Sequence, residues 1–209
     1  MKALIFTALA LTLALPARAV DLGSMTGRWS TATTQRLMIT FPAGTLTVQS
    51  GEGPDVVATL SVRCRHGGNR CLEEAKRIRL VTDLHNDTRT IRFEPDHWSG
   101  HGLQMELTVE IPAHLNLGTQ MGAGELSVYD LTGEVELDLG AGQASLRLPD
   151  RAVHSVDAAV GIGDATLRRH GSSVPTHGFL SKELHWNEGP GASRVKVNVG
   201  VGDINLRLD

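Results

Sequence analysis

The chain has 209 residues, 20 Lys and Arg against 23 Asp and Glu, a formal net charge of −3 and only 4% aromatic residues. The acidic balance argues against nucleic acid as a partner. Scarce aromatics leave a core to be built mainly from Val, Leu, Ile and Ala, which favours regular, closely stacked strands.

Lys2 is followed by an apolar stretch over 3–15, then by Pro16 and the small-residue triplet Ala17-Arg18-Ala19. This is the pattern of a secretory signal peptide cleaved after Ala19, so 1–19 is expected to be removed and 20–209 to form a single β-repeat domain. The stretch is too short to span a bilayer, no cysteine follows the cleavage point to carry lipid, and no later run is long enough for a membrane span. Without Lys2 and Arg18 the mature part carries 18 basic and 23 acidic side chains, a net charge of −5. A soluble protein of the periplasm or cell exterior is expected.

In chain order, Leu37, Ile39 and Phe41 alternate with polar residues and lead into Ala43-Gly44-Thr45-Leu46-Thr47-Val48. Segments 56–64, 78–84, 88–93 and 103–111 read as longer strands, with a hairpin at Asn86-Asp87 between the middle two. Only 71–77 suggests a helix, and a short one. Cys64 and Cys71 are the only cysteines, and in an oxidising compartment a disulfide between them is the default. The spacing is not that of a C-x-x-C redox pair.

Beyond residue 110 the pattern becomes regular, so that 20–110 reads as an N-terminal strand region with the disulfide loop and 111–209 as the repeat array. In the last copy Val195, Val197, Val199 and Val201 alternate with polar residues or Gly; after Gly202-Asp203 the apolar positions are Ile204, Leu206 and Leu208. Side chains in a strand alternate with period two, so both halves can face one core only if the chain bends or bulges at that dipeptide. The same arrangement surrounds Gly124, Gly142 and Gly163, with a fainter copy at Gly44. The apolar pivots of the last four copies, Ala123, Ala141, Ile162 and Val201, lie 18, 21 and 39 residues apart. A period near twenty with two short strands per unit predicts an all-β, β-solenoid-like (β-helix-type) fold. The double gap over 163–201 reads as one degenerate turn carrying a surface loop.

These features together, the leader, the Phe-x-Ala-Gly-Thr-Leu-Thr-Val opening, the Arg-Cys…Cys segment and the G-x-G-[DEQ] strands ending in Val-Gly-Val-Gly-Asp-Ile-Asn-Leu-Arg-Leu, resemble the bacterial envelope domains known as the putative adhesin family. The stretch Gly178-Phe179-Leu180…Leu184-His185-Trp186 also looks like members of it. The resemblance implies a repetitive β domain outside the cytoplasm, without an established catalytic activity.

Candidate chemistry is sparse. Glu125, Gln143, Asp164 and Asp203 follow the bends and would align on one ridge; a calcium ladder is one use, and acceptance of backbone N–H groups in tight turns is the favoured one. Asp96, His97 and His101 are weak metal candidates in a polar loop whose Pro95 and Gly100 argue against a helix that would align them. Arg63, Arg65, Arg70, Lys76, Arg77 and Arg79 cluster around the cysteines, diluted by Glu73 and Glu74. Trp98 and Trp186 fall in loop-like segments where an indole could meet a sugar or a protein partner, or cover an open end of the core.

None of the G-x-G strings has the third glycine, following helix or Lys-Ser/Thr of a nucleotide loop, and no nucleophile elbow occurs. The expected function is that of a non-catalytic envelope or surface protein without cofactor, adhesin-like or structural, with an envelope glycan or another envelope protein as partner. A periplasmic glycan-acting enzyme on a β-helix scaffold and a metal-binding envelope protein are the alternatives.

Overall fold

The computed structural model describes residues 20–65, 68–94, 102–178 and 181–209. Residues 1–19, read above as a leader, and the candidates Asp96, His97, Trp98 and His101 lie outside the described residues. The strands are β1 (Val20–Ser30), β2 (Arg36–Ser50), β3 (Asp55–Cys64), β4 (Arg79–His85), β5 (Thr88–Glu94), β6 (Leu103–Ile111), β7 (Asn116–Tyr129), β8 (Val135–Leu148), β9 (Val153–Arg169), β10 (Ser172–Val174), β11 (Lys182–Trp186) and β12 (Ser193–Leu208); among the described residues one α-helix, α1 (Asn69–Ala75), and a single 3-10 turn (Asp150–Ala152) interrupt them.

The long strands carry the reversal of phase within a single unbroken strand. In β8, Val135, Leu137 and Leu139 are buried, and after Gly142 the buried residues are Ala144, Leu146 and Leu148. Gly142 has φ +135°, a conformation that costs an L side chain energy and that glycine adopts freely. Each such strand thus has two arms, and the apolar residues of both enter one core. The pivots themselves do not. Ile162 is 60% exposed and Val201 51% exposed, because the bend turns this position outward where simple alternation from Val195 would have buried it.

Strands β2, β7, β8, β12 and β9 are parallel neighbours in that order, and their pairing sets Gly44, Gly124, Gly142, Gly202 and Gly163 side by side. A Cβ on any of the last four would collide with the carbonyl oxygen of the adjacent glycine in the stack. The bends are therefore a collective feature of the sheet.

The sheet is mixed, and its order departs from stacking in chain sequence. A solenoid would lay β9 on β8, whereas β12 occupies that place and pairs with β8 on one side and β9 on the other. Between β9 and β12 the chain does not make another turn of the array. It folds back antiparallel on the free side of β9, with β11 along the first arm and β10 along the second. The other end of the array also divides between the arms. β5 joins the first arm of β2 and carries β4, while β6 joins the second arm and is followed by β3 and β1.

The Asn86-Asp87 hairpin joins β4 to β5, with Asn86 at φ +56°. α1 begins two residues earlier than the sequence pattern suggests; Cys71 and Ala75 are buried, and Cys71 forms a disulfide with Cys64 at the end of β3.

Candidate functional site: the outer rows of the bent sheet

Because the inward face of both arms is filled by apolar side chains, the buried Thr119 apart, the polar side chains gather on the outer face and the edges. In-register parallel pairing lines up equivalent outward residues of successive strands about 4.8 Å apart. On the first arm these rows alternate in charge. Arg36 donates to Glu136 at 2.6 Å and Lys196 to the same carboxylate at 3.4 Å, Arg194 meets Glu134 at 3.2 Å, and Asn198 donates to Asp138 at 2.8 Å. The Arg36 hydrogen bond holds the Glu136 carboxyl below its ordinary range. At the sheet's edge His185 Nδ1 lies 2.8 Å from Asp157, whose hydrogen bond raises the imidazole pKa. Between this arm and the bend lies a shallow groove of about 730 Å³, floored by Gly122, Gly140, Gly200 and Gly161.

At the bend, the carboxylates of two aligned residues are engaged by backbone. Asp203 Oδ1 accepts the Asp164 N–H at 3.1 Å, and Asp164 Oδ1 accepts the Ala165 N–H at 3.0 Å. Among the described residues no three His, Cys, Asp or Glu side chains are placed to share a metal ion.

The second arm ends in a polar cluster at the β9 edge. The largely buried Asp150 carboxylate accepts from Arg169 Nε and, at 3.0 Å, from Arg169 Nη2, and it lies 3.3 Å from His170 Nε2. The Arg169 hydrogen bond keeps the Asp150 carboxyl below its ordinary range. Arg169 Cζ also sits over the Trp186 ring, 5.1 Å from its centre. Trp186 is partly buried against the core, so its indole closes the sheet edge and presents only part of its surface. Around the disulfide, Arg63 pairs with Glu106, Lys76 with Glu73, and Arg79 donates to two backbone carbonyls, which spends part of that basic cluster internally.

Sequence reasoning passed over the Asp150–Arg169–His170 cluster, whose members are brought together only by the register of the sheet. It also passed over Arg147, Arg168 and Arg207. Each stands five residues after its bend glycine, an offset that could have revealed a row.

Linear rows of side chains on a bent, mixed sheet define a β scaffold protein with an extended surface. In fold it is similar to a putative cell adhesion protein from Clostridium sporogenes: TM-score 0.57 at 13% identity, over 90% of this chain and 99% of that one. Lower similarity relates it to a putative adhesin from Bacteroides fragilis (TM-score 0.27, 10% identity, 88% of this chain and 97% of that one) and to one from Parabacteroides distasonis (TM-score 0.26, 8% identity, 87% and 97%). Among curated proteins none matches the chain in sequence. Residues 20–168 match the N-terminal domain of toast_rack, DUF2154, and the chain belongs to that family.

Proposed function

We propose that this is an exported, non-catalytic envelope protein of adhesin-like character, which binds an extended partner, an envelope glycan or another envelope protein, along the outer rows of its bent sheet. The observation that carries the reading is the in-register stacking of β2, β7, β8, β12 and β9. It produces rows of equivalent side chains suited to a repeating ligand, whereas glycosidic hydrolysis needs two carboxylates facing each other across a bond, in different environments. The Cys64–Cys71 disulfide and the leader-like 1–19 segment support export. The description of the Clostridium neighbour as a putative cell adhesion protein points the same way.

The test is a combined binding and turnover screen of the mature protein against envelope and extracellular polysaccharides, with calcium and zinc present or chelated. Saturable binding without product is the expected result. Product formation that disappears when a single carboxylate pair is substituted would overturn the non-catalytic reading.

A further inference from the structure

The outer row farthest along the second arm breaks the pattern of the others. The pairing of β8, β12 and β9 sets Arg147, Arg207 and Arg168 directly beside one another. Like charges on adjacent strands repel, and on the first arm this sheet interleaves acids with bases at comparable positions. Here a single carboxylate engages two of the three guanidinium groups. Asp209 accepts Arg147 Nε at 2.9 Å and Arg207 Nε at 2.6 Å, and Arg207 lowers the Asp209 pKa. These bonds engage only the Nε edges. Among the described residues the terminal nitrogens of Arg147 and Arg207, and the whole exposed Arg168 guanidinium, have no acidic partner. Nearby Asp150 is taken by Arg169 and His170. A local excess of positive charge on a chain with net charge −3 creates a field that attracts anionic ligands.

Geometry supplies a place for that ligand. Arg168, Arg207, His170, Ser173 and Asp209 line a cavity of about 590 Å³. The row two residues nearer the bend is Ser145, Asn205 and Thr166, paired in the same register; the Thr166 hydroxyl donates to Asn205 Oδ1 at 3.1 Å, which leaves the Asn205 amide N–H groups and the Ser145 hydroxyl alongside the cations. Arginine forks match carboxylates bidentately. An arginine every strand, about 4.8 Å apart, has a repeat comparable to one sugar residue of an extended polysaccharide. The exposed large apolar side chains among the described residues are Leu84, Ile162 and Val201, and none belongs to this end of the arm, so nothing here would insert into a lipid surface.

We infer that Arg147, Arg207 and Arg168 form a binding ladder for a linear acidic polysaccharide of the uronate type, with carboxylates on the arginines and sugar hydroxyls on the Ser145–Asn205–Thr166 row. The inference rests on the proposal that the outer rows bind an extended partner, and it names the row and the ligand class.

Polygalacturonate is the probe, titrated calorimetrically into the mature protein at low and high salt, beside dextran, inorganic phosphate and phosphatidylglycerol vesicles. The ladder predicts saturable polygalacturonate binding that weakens with salt and falls at least tenfold in the Arg168→Ala/Arg207→Ala double variant, whose exposed positions leave its melting curve close to the parent's. Retention by Arg168→Lys/Arg207→Lys of less than the parent affinity, but more than the alanine pair, would further support fork-specific recognition. Undiminished polygalacturonate binding by the alanine pair would overturn the ladder while leaving the broader binding reading intact. Dextran bound as tightly as polygalacturonate would do the same. Phosphate or vesicles bound in preference to the polymer would overturn the uronate assignment, and no binding to any polymer would overturn the ladder and leave only the protein-partner form of the broader reading.

Discussion

At Gly142, Gly163 and Gly202 two constraints coincide: each has φ between +135° and +141°, and a Cβ would strike the carbonyl oxygen of the next glycine in the stack. Gly171 separates the two effects, because its φ of +79° is also positive but a Cβ there would meet nothing within 4 Å. Gly→Ala at any of the three stacked positions is expected to cost about 3 kcal/mol or more, and Gly171→Ala about 1 kcal/mol. Urea denaturation of the four variants checks this; equal losses at all four would show that close approach contributes nothing. Asp150 gives a pH prediction. Its folded pKa lies below the ordinary value of 3.8, so its contribution to stability is complete above the unfolded pKa and is lost as pH falls through the lowered native value. Asp150→Asn should lower stability at neutral pH by roughly 1.5 to 3 kcal/mol, the range for hydrogen bonds to a charged group. It should also flatten the loss of stability below about pH 4, as read from melting temperatures across an acid series.

Among the elements, β12 holds the position that chain order would have assigned to β9, and it is paired along both edges. A proline inside it therefore removes a ladder hydrogen bond from a central strand, whereas the three-residue β10 pairs only with β9. Asn198→Pro is expected to cost about 3 kcal/mol or more and Ser173→Pro less than about 1 kcal/mol. Asn198→Ala isolates the loss of the Asp138 hydrogen bond from the backbone effect, and chemical denaturation midpoints rank the three. α1 has seven residues, too few to be stable alone, and is anchored through Cys71 to β3. Reduction should lower stability by up to about 2.5 kcal/mol, the chain-entropy value for so short a loop. Intact-mass analysis of exported protein should find the two thiols bonded and the chain starting near Val20.

For the whole molecule, one contiguous set of buried side chains runs from Leu37 through Leu107 and Leu137 to Leu208. No break separates the N-terminal strands from the regular array. The mature protein is expected to unfold in a single transition. Trp29 in β1 and Trp186 in β11 report from opposite ends of the sheet order, so tryptophan fluorescence and circular dichroism should give coincident curves. Two resolved midpoints would show that the halves fold separately.

Much of this was legible in the residues because the information is local. Period-two alternation marks β3 to β6, and the shift of apolar parity across each glycine marks the bends, since a strand cannot change faces without one. The cysteine spacing likewise makes the disulfide the default. β1 was not legible, because only Met25, Gly27 and Trp29 in its described part are half-buried and their alternation is weak. Nor was the order of the strands: β9 and β12 share the same apolar pattern, so either could pair with β8, and the choice depends on contacts between segments some sixty residues apart. The closing of Asp150 onto Arg169 and the alignment of Arg147, Arg207 and Arg168 follow from that register. The sequence by itself determined which residues face in and where each strand must bend; only the tertiary structure decided which strands are neighbours, and with that which side chains stand in one row on the surface.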